Sequence, residues 1–183
     1  CKFTRMPRAS REQMAIHRQA IEDTASRLFR ERGFNNVSIQ DIMKAVGLTH
    51  GGFYNHFESK DELVAIAYKN AFDKSQEHWQ QRIASRSPQQ NELSAILEPY
   101  FTDQWLRSIG DACPLTALSV DIARTNAGAE QQAAQHNYKT GLKGLLAILQ
   151  DAIAKKQQGQ SGNTAPITDT APITHDSSRQ KAM

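Results

Sequence analysis

Cysteine is scarce in this chain. Cys1 and Cys113 stand 112 positions apart, which makes neither a disulfide framework nor a metal knuckle. Long apolar runs are missing too, and nothing approaches the roughly 20 residues of a membrane-spanning helix. The opening Cys1-Lys-Phe-Thr-Arg-Met6 has no apolar block behind its basic residues and so does not read as a secretory leader. The expectation is a soluble cytoplasmic protein without metal or cofactor. Aromatic residues are only 7% of the 183, but apolar residues are 39%, enough to build a core and to argue against global disorder. Acidic residues are absent from the first eleven positions, where Lys2, Arg5, Arg8 and Arg11 occur. Strand-type alternation is lacking throughout, which leaves an all-α class.

The charge is unevenly spread. Residues 1–60 carry ten Lys/Arg against six Asp/Glu, whereas residues 61–183 carry twelve against thirteen. A basic N-terminal arm can lie along nucleic-acid phosphates, because each neutralised phosphate releases counterions. The alternative is a solvated tip.

Helical signals run along most of the chain. Ser10 opens a first helix with Gln13 as its capping partner, and Met14, Ile21, Ala25 and Leu28 fall on one face with Phe29 beside them. Gly33 stops it, and Phe34 is placed to pack back on Phe29. Ser38 caps a short second helix whose third position is Asp41, with Ile39, Ile42, Met43 and Val46 on its apolar side. Gly47 ends that helix. Thr49 is expected to cap a third, running through His50-Gly-Gly-Phe-Tyr-Asn-His56. Ser59 and Glu62 form a capping box for a long fourth, which carries Val64, Tyr68, Ala71, Phe72 and Trp79 until Ser87-Pro88.

Beyond Pro88 the periodicity predicts three more helices. One covers about 90–107, with Leu93, Ile96, Leu97, Tyr100 and Phe101 inward and a kink at Pro99. A short one follows Cys113-Pro114. The last spans about 127–157, and its Tyr138, Leu142, Leu145, Leu149 and Ala152 form a seam that wants a partner helix. Residues 159–183 hold no Leu, Val, Phe, Tyr or Trp and nearly repeat Thr164–Asp169 as Thr170–His175. Such a segment buries too little to offset its ordering entropy, so a disordered tail is expected.

Helix, tight turn and short helix is the layout in which a second helix enters the DNA major groove. Spacing alone is a weak signal, since many bundles contain tight αα turns. Gly51 and Gly52 add chemistry: each costs about 1 kcal/mol in a helix relative to Ala. Two in seven residues suggest that backbone approaches a phosphate or base edge, with close helix packing as the plain alternative. Thr49 and Ser38 offer hydroxyls to phosphate beyond their capping duty. His50 and Asn55 can hydrogen-bond base edges, and Tyr54 offers a hydroxyl and a ring.

Phe29-Arg-Glu-Arg-Gly-Phe34, Val37-Ser-Ile-Gln-Asp-Ile42, Val46-Gly-Leu-Thr-His-Gly-Gly-Phe-Tyr-Asn-His-Phe57 and Ser59-Lys-Asp-Glu-Leu63 together resemble the DNA-binding domain of the tetracycline-repressor (TetR) family. The resemblance covers roughly residues 12–80, and Cys113-Pro-Leu-Thr-Ala-Leu118 is similar to a segment of one subgroup. It implies a homodimer that binds a palindromic double-stranded DNA operator and releases it to a small-molecule inducer. By position it gives DNA-binding roles to Ser38, Thr49, His50, Gly51, Gly52, Tyr54, Asn55, His56 and Lys60, and core roles to Phe53 and Phe57. His56 could equally close packing against the next helix, and Lys60 could be a solvated first-turn lysine.

On this reading the chain divides into a basic arm over 1–11, a helix-turn-helix domain over 12–58, a helical regulatory and dimerisation domain over 59–158, and a tail over 159–183. Trp79, Tyr100, Phe101, Trp105 and Cys113 are candidates to line a ligand pocket, or are ordinary core. Two variants stay open. Cys113 could sense oxidants or electrophiles, or the chain could be a shortened interaction module that heterodimerises through the Tyr138–Ala152 seam. A thiol enzyme pairing Cys113 with His136 has no motif behind it, so no catalysis is expected.

Overall fold

The computed structural model describes residues 10–103, 107–124 and 129–161, which hold seven α-helices and no strand. They are α1 (Arg11–Arg32), α2 (Ile39–Ala45), α3 (Lys60–Ser85), α4 (Glu92–Leu97), α5 (Pro114–Ala117), α6 (Ser119–Arg124) and α7 (Ala129–Ser161). The residues 1–9 of the basic arm, Trp105, and the tail beyond Ser161 lie outside the described residues. The helix itself runs four residues past the expected end at 157.

Local chemistry sets the boundaries. Ser10 Oγ accepts the Gln13 amide at 3.1 Å to open α1. Gly33 closes it with φ 79°, a value unfavourable for a side-chain-bearing residue, and its amide donates to Phe29 O at 2.9 Å. Ser38 and Asp41 form the reciprocal box at α2: Ser38 Oγ accepts Asp41 N at 3.1 Å, and the Asp41 carboxylate accepts Ser38 N at 2.8 Å. Gly47, with φ 72°, turns the chain after α2. At α3 only half the expected box forms. Ser59 Oγ accepts Glu62 N at 3.1 Å, but the Glu62 carboxylate reaches back one residue further, to Glu58 N at 2.7 Å.

Two expectations are corrected. The element after the turn, His50–Asn55, is a 3₁₀ helix and not an α-helix, and Thr49 gives it no side-chain cap. Two glycines in six residues remove the propensity that would hold a full α-turn. The helix expected over 90–107 is interrupted: Glu92–Leu97 is α, and Glu98–Phe101 tightens to 3₁₀ around Pro99, which supplies no amide to an α ladder. Leu97 and Phe101, expected inward, are 39% and 85% exposed, while Ile96 stays buried.

The C-terminal seam, expected to want a partner helix, finds its partner inside the chain. Leu145 and Ala152 are buried with Phe72 and Trp79 of α3, and Tyr138 and Leu149 pack at the edge of the same cluster. Gly141 and Gly144 let the helices close up: a Cβ built on Gly141 would fall 2.1 Å from Phe72 Cγ, and one on Gly144 would fall 2.6 Å from Gln76 Oε1.

α3 serves two clusters. Leu63, Val64, Ala67, Tyr68 and Ala71 complete the N-terminal core of Ile21, Ala25, Phe29, Ile42, Phe53 and Phe57, joined by Leu118 from beyond α5. Phe72 and Trp79 belong to the second cluster, with Ile96, Cys113 and Leu145. Two polar tethers also tie the far half to α1 and the turn that follows it. Asp121 of α6 accepts the Phe34 amide at 2.9 Å, and Arg30 Nη1 donates to Ala112 O at 3.1 Å.

Candidate nucleic-acid interface

The turn between α2 and the 3₁₀ helix is built from the inside. Leu48 N donates to Met43 O at 2.8 Å, and Phe53 and Phe57 are buried 5.3 Å apart beneath the surface. Anchoring those two rings turns the intervening residues outward. Thr49, His50, Gly51, Tyr54 and Asn55 are exposed, and Gly52 is half-buried. Tyr54 is 60% exposed, with its ring stacked on His50 at 6.2 Å and 22°.

These outward residues have almost no intramolecular duties. Thr49 Oγ1 makes no capping bond, in contrast to the capping role expected of it, so its hydroxyl is left to solvent or a ligand. A Cβ built on Gly51 would meet nothing within 4 Å, and one on Gly52 would meet Thr49 Oγ1 at 3.4 Å, an ordinary contact. Helix packing therefore does not account for Gly51. Ser38 sits exposed at the head of α2, and its hydroxyl is engaged with Asp41. Those two bonds hold the Asp41 carboxyl below the usual carboxylate range.

His56 and Lys60 are more embedded than the others. His56 lies with its ring 6.3 Å from that of His17 on α1. Burial, and then repulsion from His17 and Arg18, pushes the His56 imidazolium below its ordinary value. Lys60 is not a solvated lysine. Its Nζ donates to Phe34 O at 2.5 Å and lies over the Phe34 ring, and burial pushes its ammonium below the usual lysine value.

Arg18 is a residue that the periodicity argument passed over. It pairs with Glu22 at 3.1 Å and Glu62 at 3.5 Å, donates to the His56 carbonyl, and covers the Phe57 ring at 4.4 Å. It thereby pins the end of the 3₁₀ helix to α1. Its spacing, four after Met14 and three before Ile21, put a charge on the apolar face of α1, which was the available signal. Asp121 and Arg30, which reach across the fold, had no comparable local signal.

A family model described as bacterial regulatory proteins of the tetR family matches residues 21–66. Residues 21–66 are thus similar to the DNA-binding domain of the TetR family. The chain's N-terminal stretch is 34% identical over 58 residues to the HTH-type transcriptional repressor Rv1474c of Mycobacterium tuberculosis, covering 32% of this chain and 31% of that protein. It is 40% identical over 60 residues to the HTH-type transcriptional regulator AcrR of Shigella flexneri, covering 33% and 28%. The match thus spans about a third of those relatives' lengths. A solved transcriptional regulator of the TetR/AcrR family has the same fold, with a TM-score of 0.63 at 24% identity over 82% of this chain and 76% of that one.

The expected pocket residues separate. Trp79 is buried, and its Nε1 donates to Tyr100 OH at 3.0 Å. Burial, and then the neighbouring Cys113 side chain, pushes the Tyr100 phenol upward. Tyr100 and Cys113 both line a cavity of about 390 Å³ between α1, α3 and the 111–114 segment. Phe101 is turned away from it. Among the described residues no group of three or more acidic, His or Cys side chains is placed to hold a metal ion, and no helix is long and apolar enough to cross a membrane.

Proposed function

We propose that this chain is a TetR family transcriptional repressor that binds a palindromic DNA operator as a homodimer and releases it when a small molecule occupies its helical C-terminal half. The observation that carries the reading is the outward cluster Thr49, His50, Gly51, Tyr54 and Asn55, held on a buried Phe53–Phe57 base and spared from intramolecular bonding. In this reading Thr49, Ser38 and the amides around Gly51 and Gly52 meet phosphates, while His50, Tyr54 and Asn55 face base edges. His56 orients the element through Arg18, and Lys60 contributes field from its seat on Phe34. The Rv1474c repressor similarity supports the direction of regulation.

Tyr100 and Cys113 on the cavity wall support a ligand as the trigger. Burial of Cys113 speaks for that ligand rather than the thiol. α3 packs on the Tyr138–Ala152 seam, so neither a homodimer nor a heterodimer draws on that surface in this reading.

The test is fluorescence anisotropy on DNA flanking the chain's own gene, at low and moderate salt, beside random duplex. Selective binding that weakens steeply with salt is the expected result, and sedimentation on the same samples reads the stoichiometry. Binding no tighter than random duplex, with an intact fold, would refute the operator reading.

A further inference from the structure

The cavity between α1 and α3 has an uneven charge balance. Arg27, Arg30, Lys74 and Arg82 contribute to its lining, against Asp23 and Asp111. Arg27 is already paired with Glu31 at 2.8 Å, and Lys74 with Asp23 at 2.5 Å. Arg30 is half-buried and spends Nε on Ser26 O and Nη1 on Ala112 O, both neutral carbonyls at 3.1 Å. Burial pulls its guanidinium below the ordinary value, with Asp111 as the largest opposing charge. Arg82, half-buried on α3, has no carboxylate within ion-pair distance among the described residues. A partly desolvated guanidinium is costly unless an anion completes it, and its planar fork matches a carboxylate.

Apolar groups complete the wall: Ala71, Ala112 and Pro114, with Tyr100 half-buried beside them. The volume lies within the span of small-molecule sites. A second, more open groove is lined by Arg86, Lys155 and Lys156, and there Glu92 already bridges Arg86 and Lys155 at 3.4 and 3.1 Å.

We propose that the α1–α3 cavity binds a small organic carboxylate with an apolar body, its carboxylate set against Arg82 and Arg30 and its body against Ala71, Ala112 and Pro114. The proposal rests on the ligand-responsive reading above and names the ligand's class. The site's two arginines belong to different parts of the fold. Arg30 rides on α1, which carries the DNA-facing element, and Arg82 sits on the far end of α3. A carboxylate between them draws on both, so occupancy acts on the same seam that the Arg30–Ala112 and Asp121–Phe34 bonds hold.

The experiment titrates the full chain with hexanoate and benzoate, with hexanamide and benzamide as neutral isosteres and inorganic phosphate as a bare anion, up to ~10 mM, the range of weak binding. Thermal shift and calorimetry are read out. At least one carboxylate should bind, with its amide and phosphate tenfold or more weaker. Arg82→Gln should remove that preference, and Lys69→Gln, on the exposed face of α3 outside the cavity, should leave it intact. Equal binding of acid and amide, loss of no affinity in Arg82→Gln, or no binding of either carboxylate overturns the proposal. Operator release, measured with the same compounds, separates the two readings. Release by an amide alone overturns the carboxylate class and leaves ligand response standing, whereas a carboxylate that binds without releasing DNA supports the site and refutes the trigger.

Discussion

Replacing Gly51 with Ala separates folding from DNA binding more cleanly than any charge substitution. Its φ is not positive, and a new Cβ would meet nothing within 4 Å, so the native backbone admits Ala without strain. The gain is at most about 1 kcal/mol of helical propensity, reached partly by restricting the unfolded chain. For a chain of this size 1 kcal/mol moves Tm by about 2–4 °C, so Gly51→Ala should melt at or slightly above the parent. If the Gly51 backbone meets DNA closely, the added methyl holds it away from its acceptor. Losing one charge-assisted contact of about 1.5 kcal/mol then weakens the operator complex about tenfold. Circular dichroism melting and operator anisotropy on one preparation read both numbers. A lowered Tm would refute the open-space argument, and unchanged affinity in a folded variant would refute the placement of Gly51 at the interface.

Other substitutions probe separate links. Gly141→Ala is the same chemical change made where its Cβ would fall 2.1 Å from Phe72 Cγ; overpacking of about 1–3 kcal/mol outweighs the propensity gain, and Tm should fall by several degrees. Ser38→Ala should lower Tm through loss of the α2 cap, whereas Thr49→Val should leave Tm unchanged, because its hydroxyl caps nothing, and still weaken DNA binding. The depressed His56 value predicts a pH effect of defined sign. The unfolded chain takes up the proton near pH 6.5 and the folded chain only below it, so stability is full above pH 6.5 and is lost as pH falls through that point toward the folded value. His56→Gln should flatten that part of a pH series of melting curves, and an unflattened profile would assign the loss elsewhere.

Most boundaries were legible because they are set locally. Ser10, Ser38 and Ser59 cap through amides three residues away, and Gly33 and Gly47 turn the chain by a backbone angle that their own residue type permits. The outward cluster was legible through the resemblance, which gave core roles to Phe53 and Phe57 and left the residues between them to face out. What escaped was set at a distance. Whether His50–Asn55 winds as α or 3₁₀, and which way Phe101 faces after Pro99, turns on small differences in backbone geometry that periodicity does not resolve. The seam on α7 was read correctly as needing a helix, but nothing in it names α3 over a second copy. Only the two glycines facing Phe72 and Gln76 hint at a partner that comes so near. Lys60, Arg30 and Asp121 find their acceptors and donors 26, 82 and 87 positions away.

α3 belongs to both clusters, and this bears on how the molecule can be taken apart. A cut after residue 58 would strip Leu63, Val64, Ala67, Tyr68 and Ala71 from beneath Phe29 and Phe53, leaving a head with an open underside. A transplantable version of that head must keep the helix at least through Ala71, and even then it loses Leu118 and Ala134, which close the same core from further along the chain. The two halves are therefore spliced like overlapping timbers, with no joint at which a hybrid regulator could be sawn without leaving raw grain on one side.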